Sequence, residues 1–236
     1  MKKSLFKYAR KIHKWAGWIL AIQILFWISG GLVMSAIPLE KVHGKHLAQR
    51  VLPSTLQLND YSYPLDSIVA HVKPNISKIE YAQVLSQPYY LVYTDSQTMA
   101  FDGQTGKPLP FLSNQHAAHI AKLHYLGQGI VLSTELLAKA PREAARSKGQ
   151  VWKVRFDDLW DTTLYISPFT GQLLTIRSDI WRIFDFFWML HIMDYDDREN
   201  FNNPLLISFS GAALVFTLTG ILLLFQTVRL RRRKSR

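Results

Sequence analysis

Two long apolar runs without a charged residue lie near the two ends of the chain. The first run covers residues 15–37 and the second covers residues 205–228. About 20 helical residues are enough to cross a hydrocarbon core, so each run predicts a transmembrane helix. A signal peptide has a shorter apolar stretch, so we expect the first run to be retained as a membrane anchor.

Positive charge is concentrated beside these two runs. Residues 1–14 and 229–236 each carry six of the 28 Lys and Arg residues and no acid, in a chain of net charge +11. Because basic segments stay on the cytoplasmic side of a membrane, we expect both to be cytoplasmic tails and residues 38–204 to lie outside. Charge that sits at two membrane-proximal ends argues against nucleic-acid binding.

The sequence contains no cysteine. This excludes disulfides, iron–sulfur clusters and covalent haem attachment. The GxGxxG, phosphate-loop and GxSxG motifs of common soluble enzymes are missing as well, and both tails are too short for a nucleotide domain. Any redox cofactor must therefore be bound non-covalently, with histidine as the most suitable ligand.

Residues 38–177 have the pattern of an α+β domain built from two degenerate repeats, at about 60–110 and 114–177. Each repeat places a helical stretch before two short strands and ends in Thr-Gly. The strands are predicted within 89–109 and 151–174, and helices are predicted to begin at Pro64, Asn114 and Ser133. The polar, basic segment 141–150 predicts an exposed loop.

Residues 178–204 predict an aromatic amphipathic helix followed by an acidic loop. Ser178 or Asp179 can cap the helix. Its apolar face recurs every three or four residues, through Ile180, Phe184, Phe187 and His191. We expect this helix to lie at the outer membrane surface. Four acidic residues follow at once: Asp194, Asp196, Asp197 and Glu199.

His13 lies at the inner end of the first apolar run, one helical turn before Gly17. The glycine leaves room for a flat ligand or for a close helix contact. From the residues alone, two interpretations of His13 stay open: a cofactor ligand, or an ordinary amphipathic side chain at the lipid headgroups. The same alternatives apply to His191, whose aromatic face and acidic neighbours favour a ligand more strongly.

Several short motifs occur here in a characteristic order. HKWAGWIL from His13 precedes Ser29-Gly30, MLHIMD surrounds His191, LTGILLLF lies in the second apolar run, and paired strand units end in Thr-Gly. Across nearly the whole chain this arrangement resembles the PepSY-associated transmembrane proteins. The chain departs from the four-span members by having two spans, and Ile192 and Met193 stand where a glycine often follows the Leu-His element.

The resemblance implies a bacterial inner-membrane protein with a periplasmic PepSY-like domain. It also implies that the protein binds haem b through His191 and His13 and reduces ferric iron or a ferric chelate for iron uptake. The ferrous product would pass to a ferrous-iron transporter, and the electron donor would be a quinol, a flavin or another protein.

A homodimer would compensate for the small number of spans. Two-fold pairing would rebuild a four-helix bundle and bring equivalent histidines together, so that the dimer could hold one or two haems. The alternative function is a non-enzymatic PepSY module, anchored by the spans, that binds a peptidase, transporter or receptor.

Two further groups of residues could bind metal. The carboxylates of Asp194, Asp196, Asp197 and Glu199 are hard oxygen donors that suit Fe³⁺ docking, although a solvated loop explains them equally well. His43 and His46 follow the first apolar run and could meet the outer haem or bind iron, although we favour solvated roles for them. We do not expect metal binding at His116, His119 and His124, because no carboxylate completes a zinc pattern there.

Overall fold

The structure is a computed structural model that describes residues 2–52, 57–72, 75–85, 87–95, 98–145, 147 and 149–234. It divides into two compact units. One unit contains the chain up to residue 38 together with residues from 183 onward, and the other contains residues 39–182.

The first unit is dominated by two long helices, α1 (Lys2–Ala36) and α6 (Pro204–Lys234), which pack against each other. Both are long and apolar enough to cross a membrane, over Ser4–Ala36 and Pro204–Val228. Their large apolar side chains are mostly exposed, for example Trp18 and Leu224. Helices at the core of a soluble domain would bury such side chains. The predicted pair of apolar terminal helices, with a sheet domain between them in sequence, is confirmed.

The second unit begins with the short helix α2 (Leu39–Val42) and a 3₁₀ turn at Leu58–Asp60, followed by α3 (Leu65–His71). A three-stranded antiparallel sheet comes next, with β1 (Ile76–Val84), β2 (Gln87–Thr94) and β3 (Thr98–Asp102) in sequential order. A small core joins α3 to this sheet through Ile68, Val72, Tyr90, Val92 and Phe101.

The second repeat contains α4 (Asn114–His124) and a four-stranded antiparallel sheet. Its strands are β4 (Ile130–Leu137), β5 (Val151–Asp157), β6 (Thr163–Ile166) and β7 (Leu173–Arg177). α4 covers this sheet and buries Ala117, Ile120 and Ala121 in the main core. Val84 and Tyr89 of the first repeat belong to the same core, so the two repeats form one domain.

Two expectations about this domain need correction. The segment from Ser133, expected to be a helix, lies in strand β4, which pairs with β5 from Ile130 opposite Asp157 to Leu137 opposite Val151. The segment 141–150 is also more than an exposed loop. A 3₁₀ turn at Arg142–Ala144 buries Ala144, and a carboxylate oxygen of Glu143 accepts a 2.7 Å hydrogen bond from the Tyr165 hydroxyl. Residues 146 and 148 lie outside the described part of the chain.

The predicted helix after the sheet is α5 (Asp179–Ile192). Its first turn is held to the sheet domain by the guanidinium of Arg182, which contacts three carboxylates. The nitrogen–oxygen distances are 2.9 Å to Asp179, 3.0 Å to Asp161 and 3.4 Å to Glu143. This network fixes the start of α5, whereas the end of the helix contributes to the candidate site.

Candidate functional site

His13 is held by the main chain of α6. Its Nδ1 lies 3.0 Å from the carbonyl oxygen of Phe216 and 3.2 Å from the Thr219 hydroxyl oxygen. A carbonyl oxygen can only accept, so Nδ1 carries a proton, and in the neutral imidazole Nε2 then keeps its lone pair. Nε2 makes no hydrogen bond within the described part of the chain. This is the state in which a histidine binds metal, with the other ring nitrogen donating to a fixed acceptor.

Glycines make the close packing around His13 possible. The rings of His13 and Phe216 are stacked, with centroids 4.1 Å apart and planes 5° from parallel. A Cβ on Gly220 would lie 3.0 Å from Cε1 of His13, and a Cβ on Gly17 would lie 3.1 Å from the Phe216 ring. The Thr-Gly pair at 219 and 220, part of the LTGILLLF motif, therefore has a physical role, because the threonine contacts the imidazole and the glycine makes room for it.

An open groove lies beside His13 on the surface of the helix pair. Its volume is about 390 Å³. Apart from the charged side chain of Lys14, its lining is apolar or small: His13, Lys14, Gly17, Trp18, Ala21 and Phe216. The groove can therefore accept a flat apolar molecule next to an imidazole.

His191 lies in the last turn of α5, where three main-chain carbonyls accept hydrogen bonds from side chains of other helices or loops. Gln23 donates to Leu190 at 3.2 Å and Trp27 donates to His191 at 2.8 Å. Asn203 donates to Ile192 at 3.0 Å. The last four carbonyls of a helix have no partner within the helix, so these contacts both satisfy the helix end and fix its position.

The His191 ring packs against α1. Its Nδ1 is buried and has no hydrogen-bond partner among the residues that the structure describes. A Cβ on Gly30 would lie 3.9 Å from this nitrogen, and the ring centroid is 6.4 Å from that of Trp27. The contacts place the end of α5 beside the middle of the first apolar run. An unpaired buried nitrogen is unusual and calls for a partner or a functional role.

The two histidines occupy separate sites. Gly30, which contacts His191, is 17 residues after His13 on the same helix, which corresponds to about 25 Å along the helix axis. One iron ion cannot bind both imidazoles of a single chain over that distance. Each histidine would therefore need its second ligand from another source.

The acidic loop has its own internal structure. The Asp194 carboxylate accepts hydrogen bonds from the main-chain amides of Asp196, Glu199 and Asn200 at 3.3, 3.0 and 2.9 Å. These bonds, chiefly the one from Asn200, hold the pKa of Asp194 below its usual range. Arg198 forms an ion pair with Asp185 of α5, and its carbonyl accepts a 3.0 Å bond from Trp188.

The predicted iron-docking residues do not form a preformed cage. Within the described residues, no three His, Asp or Glu side chains are arranged to hold a metal ion. Asp196, Asp197 and Glu199 are exposed, and Asp194 is committed to the loop's own amides.

The other histidines lie in the sheet domain. His124 is buried, and its Nδ1 donates to the carbonyl of Gln49 at 2.7 Å. Desolvation lowers its pKa, and the bond to Gln49 opposes this in part. The exposed histidines include His43, His46, His116 and His119.

The sequence patterns did not single out Gln23, Trp27 and Asn203, the side chains that hold the end of α5. Gln23 was the best available signal, because an amide inside an uncharged apolar run must find a partner. Comparisons with known proteins add no further information, because no protein-family model, curated protein or solved structure matches the chain significantly.

Proposed function

We propose that this chain is a membrane-anchored haem b protein that delivers electrons to ferric iron. The single observation that carries the proposal is the state of His13. Its Nδ1 donates to a main-chain carbonyl, while its Nε2 keeps a free lone pair on a side chain that lines an apolar groove. A main-chain acceptor for Nδ1, combined with an Nε2 beside an apolar groove, suits an axial ligand.

The residues present suit such a cofactor at the inner site better than at the outer one. Around His13, the main-chain acceptor for Nδ1 is in place and the groove is lined by small and aromatic side chains. Around His191, hydrogen bonds hold the main chain, but the buried Nδ1 has no acceptor in the described part of the chain. His13 is therefore the stronger candidate ligand and His191 the second.

The proposed assembly is a homodimer in a bacterial inner membrane, with both termini in the cytoplasm and residues 39–182 in the periplasm. Each chain supplies one imidazole at each of two levels about 25 Å apart, so two copies would supply pairs. The four terminal helices would then form a bundle of the kind that holds cofactors between facing helices.

Haem b supplies reversible one-electron chemistry when it is bound. The chain's own contribution is to orient the imidazoles and to exclude water with aromatic side chains. The acidic loop draws ferric iron or a ferric chelate by charge, and the ferrous product would be released to a transporter. The electron donor would be a quinol, a flavin or a protein.

The proposal is tested by the absorption spectrum of the purified full-length protein after expression with haem supplied. A reduced-minus-oxidised b-type spectrum is expected. His13→Ala should remove the inner component and His191→Ala the outer one, while His119→Ala, a change at an exposed histidine, should leave the spectrum intact. Absence of any haem signal, or full haem content in both ligand variants, would contradict the proposal.

A second candidate function is a non-enzymatic module that binds a partner protein. It is favoured by strand β4, which forms one edge of the four-stranded sheet and exposes Ile130, Leu132 and Leu136. An apolar sheet edge is a common binding surface for another chain. A protein that lacks haem but binds a partner, with binding lost in Leu132→Lys, would support this alternative.

A further inference from the structure

Lys14 occupies a special position on α1. It is the last charged residue before the first apolar run, and no charged residue follows it until Glu40. Its side chain is exposed and lines the groove beside His13, together with Trp18. A second, smaller groove on the same helix is lined by Lys14, Trp15 and Trp18. Lys14, the charged residue that lines the groove, therefore lies at the border between the basic N-terminal segment and the apolar run of α1.

We infer that this groove selects a flat apolar ligand that carries carboxylate groups, and that Lys14 binds one of those carboxylates. The inference rests on the proposed function, because it concerns the same groove. It adds a specificity-determining residue and a ligand chemistry: an iron porphyrin with free acid side chains, bound with its acidic edge toward the cytoplasmic end of α1.

The helical positions support a two-sided groove. His13 and Gly17 are four residues apart and form one row on α1, while Lys14 and Trp18 form the adjacent row. Ala21 continues the first row deeper into the apolar run. An apolar ligand body can lie along Gly17, Ala21 and Phe216, with its charged edge near Lys14.

Charge complementarity explains why Lys14 would matter. A carboxylate at the border of a hydrocarbon region loses much of its hydration and needs a cation or several donors. The groove offers Lys14 as its one charged lining residue. An ion-paired hydrogen bond that is partly shielded from water is worth more than an exposed surface pair.

The experiment compares two ligands on the purified full-length chain in detergent. The first is haemin, which carries two free propionates, and the second is haemin dimethyl ester, in which both are esterified. The readout is the dissociation constant of the component that His13→Ala removes. For the unaltered chain, haemin should bind about tenfold more tightly than the ester.

Variants at Lys14 complete the test. Lys14→Met should weaken haemin binding about tenfold and leave ester binding unchanged, and Lys14→Arg should restore haemin binding. Lys7→Met, which removes a charge from the same helix two turns away and outside the groove, is the matched control and should bind haemin normally.

Two results would overturn the inference alone. One is equal affinity of the unaltered chain for haemin and its ester, which does not depend on any variant folding correctly. The other is normal haemin affinity in Lys14→Met. If the unaltered chain binds neither ligand, the proposed function fails, and this inference fails with it.

Discussion

The indole Nε1 of Trp27 donates a 2.8 Å hydrogen bond to the main-chain carbonyl of His191. The helix that carries His13 therefore also holds the second candidate histidine, through a side chain nearly four turns further along. Gln23, one turn before Trp27, binds the neighbouring carbonyl of Leu190. The end of α5 is thus positioned by α1 and does not depend on lipid contacts alone.

Trp27→Phe should destabilise the helical unit. Phenylalanine keeps an aromatic ring but removes the donor, so the partly buried carbonyl of His191 would lose its partner. We expect a loss of about 1–2 kcal/mol in the free energy of unfolding. The measurement is equilibrium unfolding of the purified protein in mixed micelles. Trp18→Phe changes an exposed indole and is the control; equal stability of the two variants would contradict the role of Trp27.

Gly220→Ala should displace His13. The added Cβ would lie 3.0 Å from Cε1 of the imidazole, so the ring must move or the helices must separate. We expect loss of the inner haem component with retention of the outer one, as measured by reduced-minus-oxidised spectra. Gly211→Ala makes the same chemical change in the same helix, and its Cβ would meet nothing within 4 Å, so it is the matched control. Identical spectra for the two variants would show that the contact is unimportant.

The proposed topology predicts opposite locations for the C-terminus and the sheet domain. Basic residues flank both apolar helices on the side of the termini, which favours a cytoplasmic position for both ends. A reporter fused after Arg236 should be active in the cytoplasm, and one inserted at residues 146–148 should be active in the periplasm. Reporters active on the same side would rule out this architecture.

Removing charge from the acidic loop should slow the approach of ferric iron without affecting haem binding. Replacing Asp196, Asp197 and Glu199 by their amides should leave haem content intact but slow haem oxidation by ferric salts at low ionic strength. The slowing should shrink as salt screens the charges over about 8 Å at physiological ionic strength. Unchanged oxidation rates at low salt would leave these three residues without a role in iron approach.

Asp194→Asn should loosen the acidic loop, whereas Asp196→Asn should not. One carboxylate oxygen accepts from Asp196 and the other accepts from Glu199 and Asn200. The side-chain amide of Asn would point its own N–H donors at the main-chain amides on one of these two sides. We expect faster proteolytic cleavage within residues 194–200, measured by limited proteolysis, whereas Asp196→Asn should be cleaved at the normal rate.

His124 should make the sheet domain sensitive to acid. Burial lowers the pKa of His124 in the folded protein, so the unfolded chain takes up a proton more readily. Its contribution to stability is complete above the unfolded pKa of about 6.5 and is lost as the pH falls from there through the lowered folded pKa. His124→Asn should flatten this pH dependence, measured by thermal unfolding, and His119→Asn at an exposed position should not. An unchanged slope in His124→Asn would contradict this assignment.

Sequence patterns predicted the helices and strands whose conformation depends mainly on residues within their own segment. The two apolar runs, α3, α4 and the strands β2, β5 and β6 follow from charge, periodicity and turn residues in their own segments. Strand β4 was misjudged because its Glu and Leu residues, and the Ala and Lys that follow, favour helices. Its strand conformation depends on pairing with β5, which lies some 20 residues away in sequence.

The candidate site was predictable only in part, for the same reason. Spacing and residue type were enough to select His13 and His191. Their partners depend on how α1, α5 and α6 align, which no single segment encodes. The acceptor for His13 is the main-chain carbonyl of Phe216, and because every residue has such a carbonyl, residue types cannot identify it.

The contacts along α1 also bear on which sequence changes this protein can tolerate. His13, Lys14, Gln23, Trp27 and Gly30 must all keep the same angular relation, because each contacts or lines a fixed feature. Inserting or deleting one residue between Gly17 and Gln23 would rotate everything beyond it by about 100°. Point substitutions on the lipid-facing side leave that relation intact, so relatives should vary there freely while keeping the length of this segment constant.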